Sequence, residues 1–227
     1  MNWYIDTLLK MALKPVLFFQ DMPKSSWREE PLSFAMITSW ILALALTVIV
    51  FFNNYLPTGL TLIEGIQGQK LLIVVPVLAV MGFAFFAMTA LILVGLMNIA
   101  VIGLMIFCAA VLNLLLVLLG GKGTVFEVVK ASFYASATLL AGLINIVLMV
   151  AVKYKLMSFT DWISGERVIY YCACVYIYGL FSIIGRKTHN VPRWKAFLAA
   201  TVPLVILVMV NIFLSSKVLP KLAGFLG

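Results

Sequence analysis

Residues 71–121 carry no charged side chain over 51 consecutive positions. Wound as one α-helix, such a run would reach ~77 Å, more than twice the ~30 Å hydrocarbon core of a bilayer. No soluble domain can bury it, and in lipid its backbone groups must find their partners within helices. The rest of the 227-residue chain agrees, with 64% hydrophobic and 11% charged residues and a mean hydropathy of +1.15. Soluble domains run nearer ~25% charged. The fold class is therefore all-α, a polytopic transmembrane helix bundle.

Six apolar segments are long enough to cross: 34–52, 71–93, 99–119, 131–152, 168–185 and 196–216. The long run is expected to divide at a tight uncharged turn over 95–98, because one straight helix cannot hide it in the bilayer. Charge gives a different preference. Six crossings would leave nine Lys and Arg on the N-terminal side against seven, whereas five would leave ten against six. Five or six crossings remain, length favouring six, and either places the N-terminus in the cytoplasm by the positive-inside rule.

Residues 1–30 form a separate N-terminal segment ahead of a transmembrane domain over 31–219. Its first fourteen residues have helical periodicity, with Trp3, Tyr4, Ile5, Leu8 and Met11 on one side and Asp6, Lys10 and Lys14 on the other. The segment lacks the pattern of a cleaved signal and is expected to stay on the protein. It reads as an amphipathic helix in the interface plane or as a cap packed on the bundle. Trp3, Tyr4, Trp162 and Trp194 are the expected interfacial anchors.

The net charge of +8 does not point to nucleic acid, because the cations are spread through almost every inter-span segment. Cys108, Cys172 and Cys174 are odd in number and lie in apolar runs, so they form no disulfide framework. On a helix Cys172 and Cys174 point about 200° apart and cannot share a metal. His189, the single histidine, falls in a basic loop and reads as a solvated residue or as a headgroup contact. No catalytic, cofactor or metal site is expected. Gly120, Gly121, Lys122 and Gly123 lack the spacing of a phosphate loop and read as a turn that ends a helix.

No Asp, Glu, Lys, Arg or His lies within the six segments, which speaks against proton- or ion-coupled transport. Asn113, Asn145 and Asn211 read as interhelix hydrogen-bonding groups or, alternatively, as the lining of a polar groove. Ala131, Ala135, Thr138 and Gly142 recur at helical spacing and form an expected face for internal packing or self-association.

Several stretches resemble the Yip1-domain membrane proteins, of the bacterial type. Pro15, Phe18 and Phe19 precede Glu30-Pro31-Leu32-Ser33-Phe34 at the first span. A span beginning at Asn113 ends in Leu119-Gly120-Gly121-Lys122-Gly123 and is followed by Phe126 and Tyr134-Ala135. Gly179-Leu180, the basic loop 186–195 and Pro203 in the last span also fit. The chain departs from the pattern at Asn113, where relatives often have His, and lacks the Pro that often follows Tyr-Ala. The resemblance implies a multi-pass protein of the cell (inner) membrane with no catalytic residues. It fits a non-enzymatic scaffold or assembly subunit whose partners are membrane lipids and a membrane protein or a second copy. The alternative is a small transporter or channel for a lipid or other hydrophobic substrate.

Overall fold

Lipid offers no hydrogen bonds, so the apolar runs wind into helix. The computed structural model describes residues 2–23, 25–64, 66, 68–153, 155–156 and 158–213. Two short helices, α1 (Asn2–Leu13) and α2 (Pro15–Gln20), lead into α3 (Glu30–Val50). A π-helical turn (Phe51–Tyr55) joins α3 to α4 (Leu56–Glu64), and after a 3₁₀ turn α5 runs from Leu71 to Leu118. Then follow α6 (Val125–Ala135), a 3₁₀ segment (Ser136–Leu140), α7 (Ala141–Lys153), α8 (Phe159–His189) and α9 (Arg193–Phe213). Among the described residues, five helical stretches are long and apolar enough to cross a membrane.

The expected turn over 95–98 is absent. Helix α5 is continuous for 48 residues, about 72 Å. Gly95 has open space around it, and Asn98 is held in the helix by a hydrogen bond with the Ser39 hydroxyl of α3. Opening the chain here would bare backbone donors and acceptors in hydrocarbon, which costs several kcal/mol per group. A lone glycine costs only about 1 kcal/mol. The helix therefore persists, and 71–93 and 99–119 are parts of one element.

Burial along α5 is uneven. Val101, Met105, Cys108, Ala109, Leu112 and Leu116 are buried, all within the C-terminal part from Val101 onward. This part is the spine of the bundle, packed by α3, α6 and α9. The preceding turns meet the distal part of α3, the π turn and α4, as a long helical hairpin. Phe51 meets Phe86 edge-on at 5.6 Å, and Tyr55 stacks on Phe85 at 5.1 Å. Gly82 admits the Phe51 ring, which would lie 3.7 Å from a Cβ placed there. The outer sides of Leu72, Phe83, Leu91 and Ile99 are more than two-thirds exposed. These residues make an apolar arm.

Helix α1 lies on the bundle. Tyr4, Thr7 and Met11 are buried along one side, while Trp3, Ile5, Leu9 and Leu13 stay outward. The Tyr4 hydroxyl and Thr38 Oγ1 are 2.9 Å apart. Thr38 donates in turn to the Phe34 carbonyl at 2.9 Å, which leaves Tyr4 as the donor of the pair. Burial pushes the Tyr4 phenol above its ordinary pKa, against the lowering by Thr38. At the far end of α1, Tyr176 of α8 donates to the Met11 carbonyl at 3.0 Å. The N-terminal helix thus bridges α3 and α8.

A continuous α5 that crosses once has its two ends on opposite sides of the membrane. In intact cells, cysteines introduced as Gln69→Cys and Lys122→Cys are expected to react with a membrane-impermeant maleimide from opposite faces. Labelling of both from one face would restore two crossings.

Candidate functional site

The most constrained region is the turn that ends α5. Its geometry starts with glycine. Gly120 has φ +89, and its N–H donates to the Val117 carbonyl at 2.9 Å. The Gly121 N–H reaches back to the Leu116 carbonyl at 2.9 Å. This pair of bonds is a Schellman motif, which satisfies the last carbonyls of a helix and favours glycine at the left-handed position. Thr124 then caps α6, its hydroxyl accepting from the Glu127 N–H at 3.4 Å, the start of a Thr-x-x-Glu capping box.

His189, at the end of α8, fits into this turn. It is 2% exposed, which corrects its reading as a solvated loop residue or headgroup contact. The Gly123 N–H donates to His189 Nδ1 at 3.1 Å, so Nδ1 carries no proton. The proton sits on Nε2, which donates to Asn113 Oδ1 at 3.0 Å. The Lys122 N–H donates to the His189 carbonyl at 3.4 Å. One imidazole, fixed in one tautomer, ties the end of α8 to both sides of the turn.

The close approach requires small residues. A Cβ on Gly121 would stand 2.7 Å from His189 Nδ1, and one on Gly123 would collide with the Thr188 carbonyl. The turn was legible as a helix stop, but its partner was not. His189 lies 76 positions from Asn113, and only tertiary folding joins them. Lys195 of α9 donates to the Leu119 carbonyl at 2.8 Å, adding a cation at a helix C-terminus where the dipole favours one. Helices α5, α6, α8 and α9 therefore meet at a turn of four residues, three of them glycine.

Among the described residues, nothing nucleophilic or acidic is in hydrogen-bonding contact with the imidazole. Among the described residues no three His, Cys, Asp or Glu gather in a group that could hold a metal. The geometry ties four helix ends together at one turn.

The asparagines are separated. Asn113 belongs to the His189 clamp. Asn211 lines a cleft of about 560 Å³ between α7, α8 and α9, at the other end of α9 from Lys195. Helix α9 puts 16 residues between Lys195 and Asn211, about 24 Å. The side chain of Asn145 lies outside the described residues. Asn113 and Asn211 thus do not line one groove.

The expected small face is also divided. Ala131 and Ala135 are fully buried, but Gly142 is exposed and borders the cleft. The reason is the five-residue 3₁₀ segment between them. Its ~120° per residue, against 100° in an α-helix, rotates the following helix by about 100°. The sequence reading missed a stripe of the same kind in α3. Ala35, Ser39, Ala43 and Thr47 recur every four residues and are fully buried. The same four-residue spacing applied to the first span would have found it.

The proposed anchors differ in fate. Trp3 is 37% exposed and Trp194 63% exposed, and both can meet an interface. Tyr4 does not anchor there: it packs on Phe34 with ring centroids 4.7 Å apart. The Trp162 side chain lies outside the described residues.

The Yip1 domain model matches residues 9–214. The chain belongs to the Yip1 family. The match takes in the last five residues of α1 and all of α2 as well as the spanning helices. No curated protein and no solved structure matches the chain. As a Yip1-family protein with five helices long and apolar enough to cross a membrane, it is a membrane protein in contact with lipid.

If the clamp holds the four helix ends, its members act as one unit. His189→Ala leaves the Gly123 N–H and Asn113 without their partner, and is expected to cost about 1–3 kcal/mol in reversible unfolding from mixed micelles. Combined with Asn113→Ala, the loss should fall short of the sum by about 0.5 kcal/mol or more. Gly123→Ala should destabilise by about 1–3 kcal/mol through overpacking against Thr188. Additive losses in the double variant would separate Asn113 from the clamp.

Proposed function

We propose that this Yip1-family protein is a non-enzymatic scaffold of the cell (inner) membrane, which binds a membrane-protein partner through its helical arm. One observation carries the reading. Helix α5 is ~72 Å long, and its first 30 residues contain no fully buried side chain. A bilayer core of ~30 Å cannot cover that length upright. The arm must lean along the membrane, where it presents a long apolar face to neighbours.

The locked turn supports this reading by anchoring the inner end of the arm in a rigid bundle. Small residues on α3 let the hairpin close tightly, which keeps the arm a single body. The N-terminus is cytoplasmic, in line with the excess of ten cations to six that one crossing by α5 gives. A transport path would join the polar groups across the membrane, and the separation of Asn113 from Asn211 favours the scaffold over the transporter.

A photo-crosslinking amino acid replacing Phe83 or Leu91 in the full chain tests the reading in native membranes. Both positions are expected to give an adduct with one membrane protein, while the same probe at buried Met105 gives none. Adducts with lipid alone at Phe83 and Leu91 would overturn it.

A further inference from the structure

The cleft between α7, α8 and α9 lies far from the clamp and has no part in the scaffold reading. Its volume of about 560 Å³ falls within the ~300–1,000 Å³ typical of small-molecule sites. Its lining has a direction. Arg167, Tyr170 and Asn211 stand at one end, and Leu104, Ile177, Leu204 and Leu207 line the rest. Helices α8 and α9 are joined by a three-residue link after His189. Arg167 and Asn211 each lie about 20 residues from that link, on the side of the molecule away from the glycine turn.

Depth matches this polarity. Arg167 immediately precedes the uncharged run 168–185, and a charge at the edge of an apolar segment sits at the level at which headgroups begin. Ile177 lies ten residues further in, about 15 Å deeper, and is 6% exposed. Among the described residues, Arg167 is the one cation lining the cleft, and no carboxylate lines it. A guanidinium at a headgroup level, above an apolar slot, is suited to a phosphate ester carrying a hydrocarbon chain. Its planar fork pairs with two phosphate oxygens at once.

We propose that this cleft seats one phospholipid, with its phosphate on Arg167 and one acyl chain along Leu104, Ile177, Leu204 and Leu207. Tyr170 and Asn211 line the same end. A free phosphate would leave the apolar wall unused. The lipid would act as a wedge between α7 and α9, coupling the packing of these helices to headgroup chemistry.

Native mass spectrometry of the full-length protein in mild detergent tests the assignment, using added phosphatidylglycerol, diacylglycerol with the same chains, or inorganic phosphate. The expected result is one retained phosphatidylglycerol per chain, with diacylglycerol and phosphate retained far less. Arg167→Gln should lower retention roughly tenfold, and Arg167→Lys should restore part of it. Ala173→Phe, which fills the slot from α8, should lower retention while Arg167 is intact. The comparison of the three ligands on the unaltered protein needs no variant to fold. Equal retention of diacylglycerol, retention of phosphate alone, or full retention by either folded Arg167→Gln or folded Ala173→Phe would overturn the site. The scaffold reading can fail in its crosslinking test without affecting any of these outcomes.

Discussion

Backbone hydrogen bonding in a solvent that offers none governs this structure. Residues 71–121 contain 51 positions without charge, and a break anywhere among them would put unpaired N–H and C=O groups into hydrocarbon. The chain continues as helix until Gly120 and Gly121 can return the last carbonyls to donors of their own. Once α5 is fixed at 48 residues, the remaining helices are placed by what they can bury against it. Its buried C-terminal part packs with α3, α6 and α9, and its exposed N-terminal part meets the outer part of the hairpin.

That asymmetry divides the molecule into a bundle and an arm held by different means. The bundle closes on small residues and on polar contacts that fix register, above all the His189 imidazole between Asn113 and Gly123. The arm closes on aromatic edges and faces, with Phe51 against Phe86 and Tyr55 on Phe85. Between them, the Ser39 hydroxyl bonds Asn98 where the arm leaves the core. In lipid, helix association gains little from hydrophobic burial, so close packing and specific hydrogen bonds carry more of the stability. The two-sided bonding of His189 has that role at one end of α5.

Several features were legible in residues 1–227. Charge-free stretches gave the helical class, the glycine cluster gave the end of α5, and the resemblance at Asn113 to Gly123 and Tyr134-Ala135 gave the family. Other features were hidden. The small face over Ala131, Ala135, Thr138 and Gly142 assumed an unbroken α-helix, and the 3₁₀ segment turned Gly142 away from it. Tyr4 matched an interfacial anchor by residue type but packs on Phe34. His189 looked solvated beside Lys187 and Arg193, because nothing local announces a partner 76 residues away.

The sequence by itself determined that the chain is a helical membrane protein, and where its charges and glycines end the apolar runs. These depend on local backbone chemistry and on transfer from water to lipid, which each residue carries with it. Only the tertiary structure decided that α5 does not turn at Gly95, that His189 is buried, and that Asn113 and Asn211 lie apart. The physical reason is that lipid is as apolar as the core of the bundle. Hydropathy therefore marks which segments leave water and says nothing of which face meets lipid and which meets another helix. That choice rests on shape and on single hydrogen bonds between residues far apart in the chain.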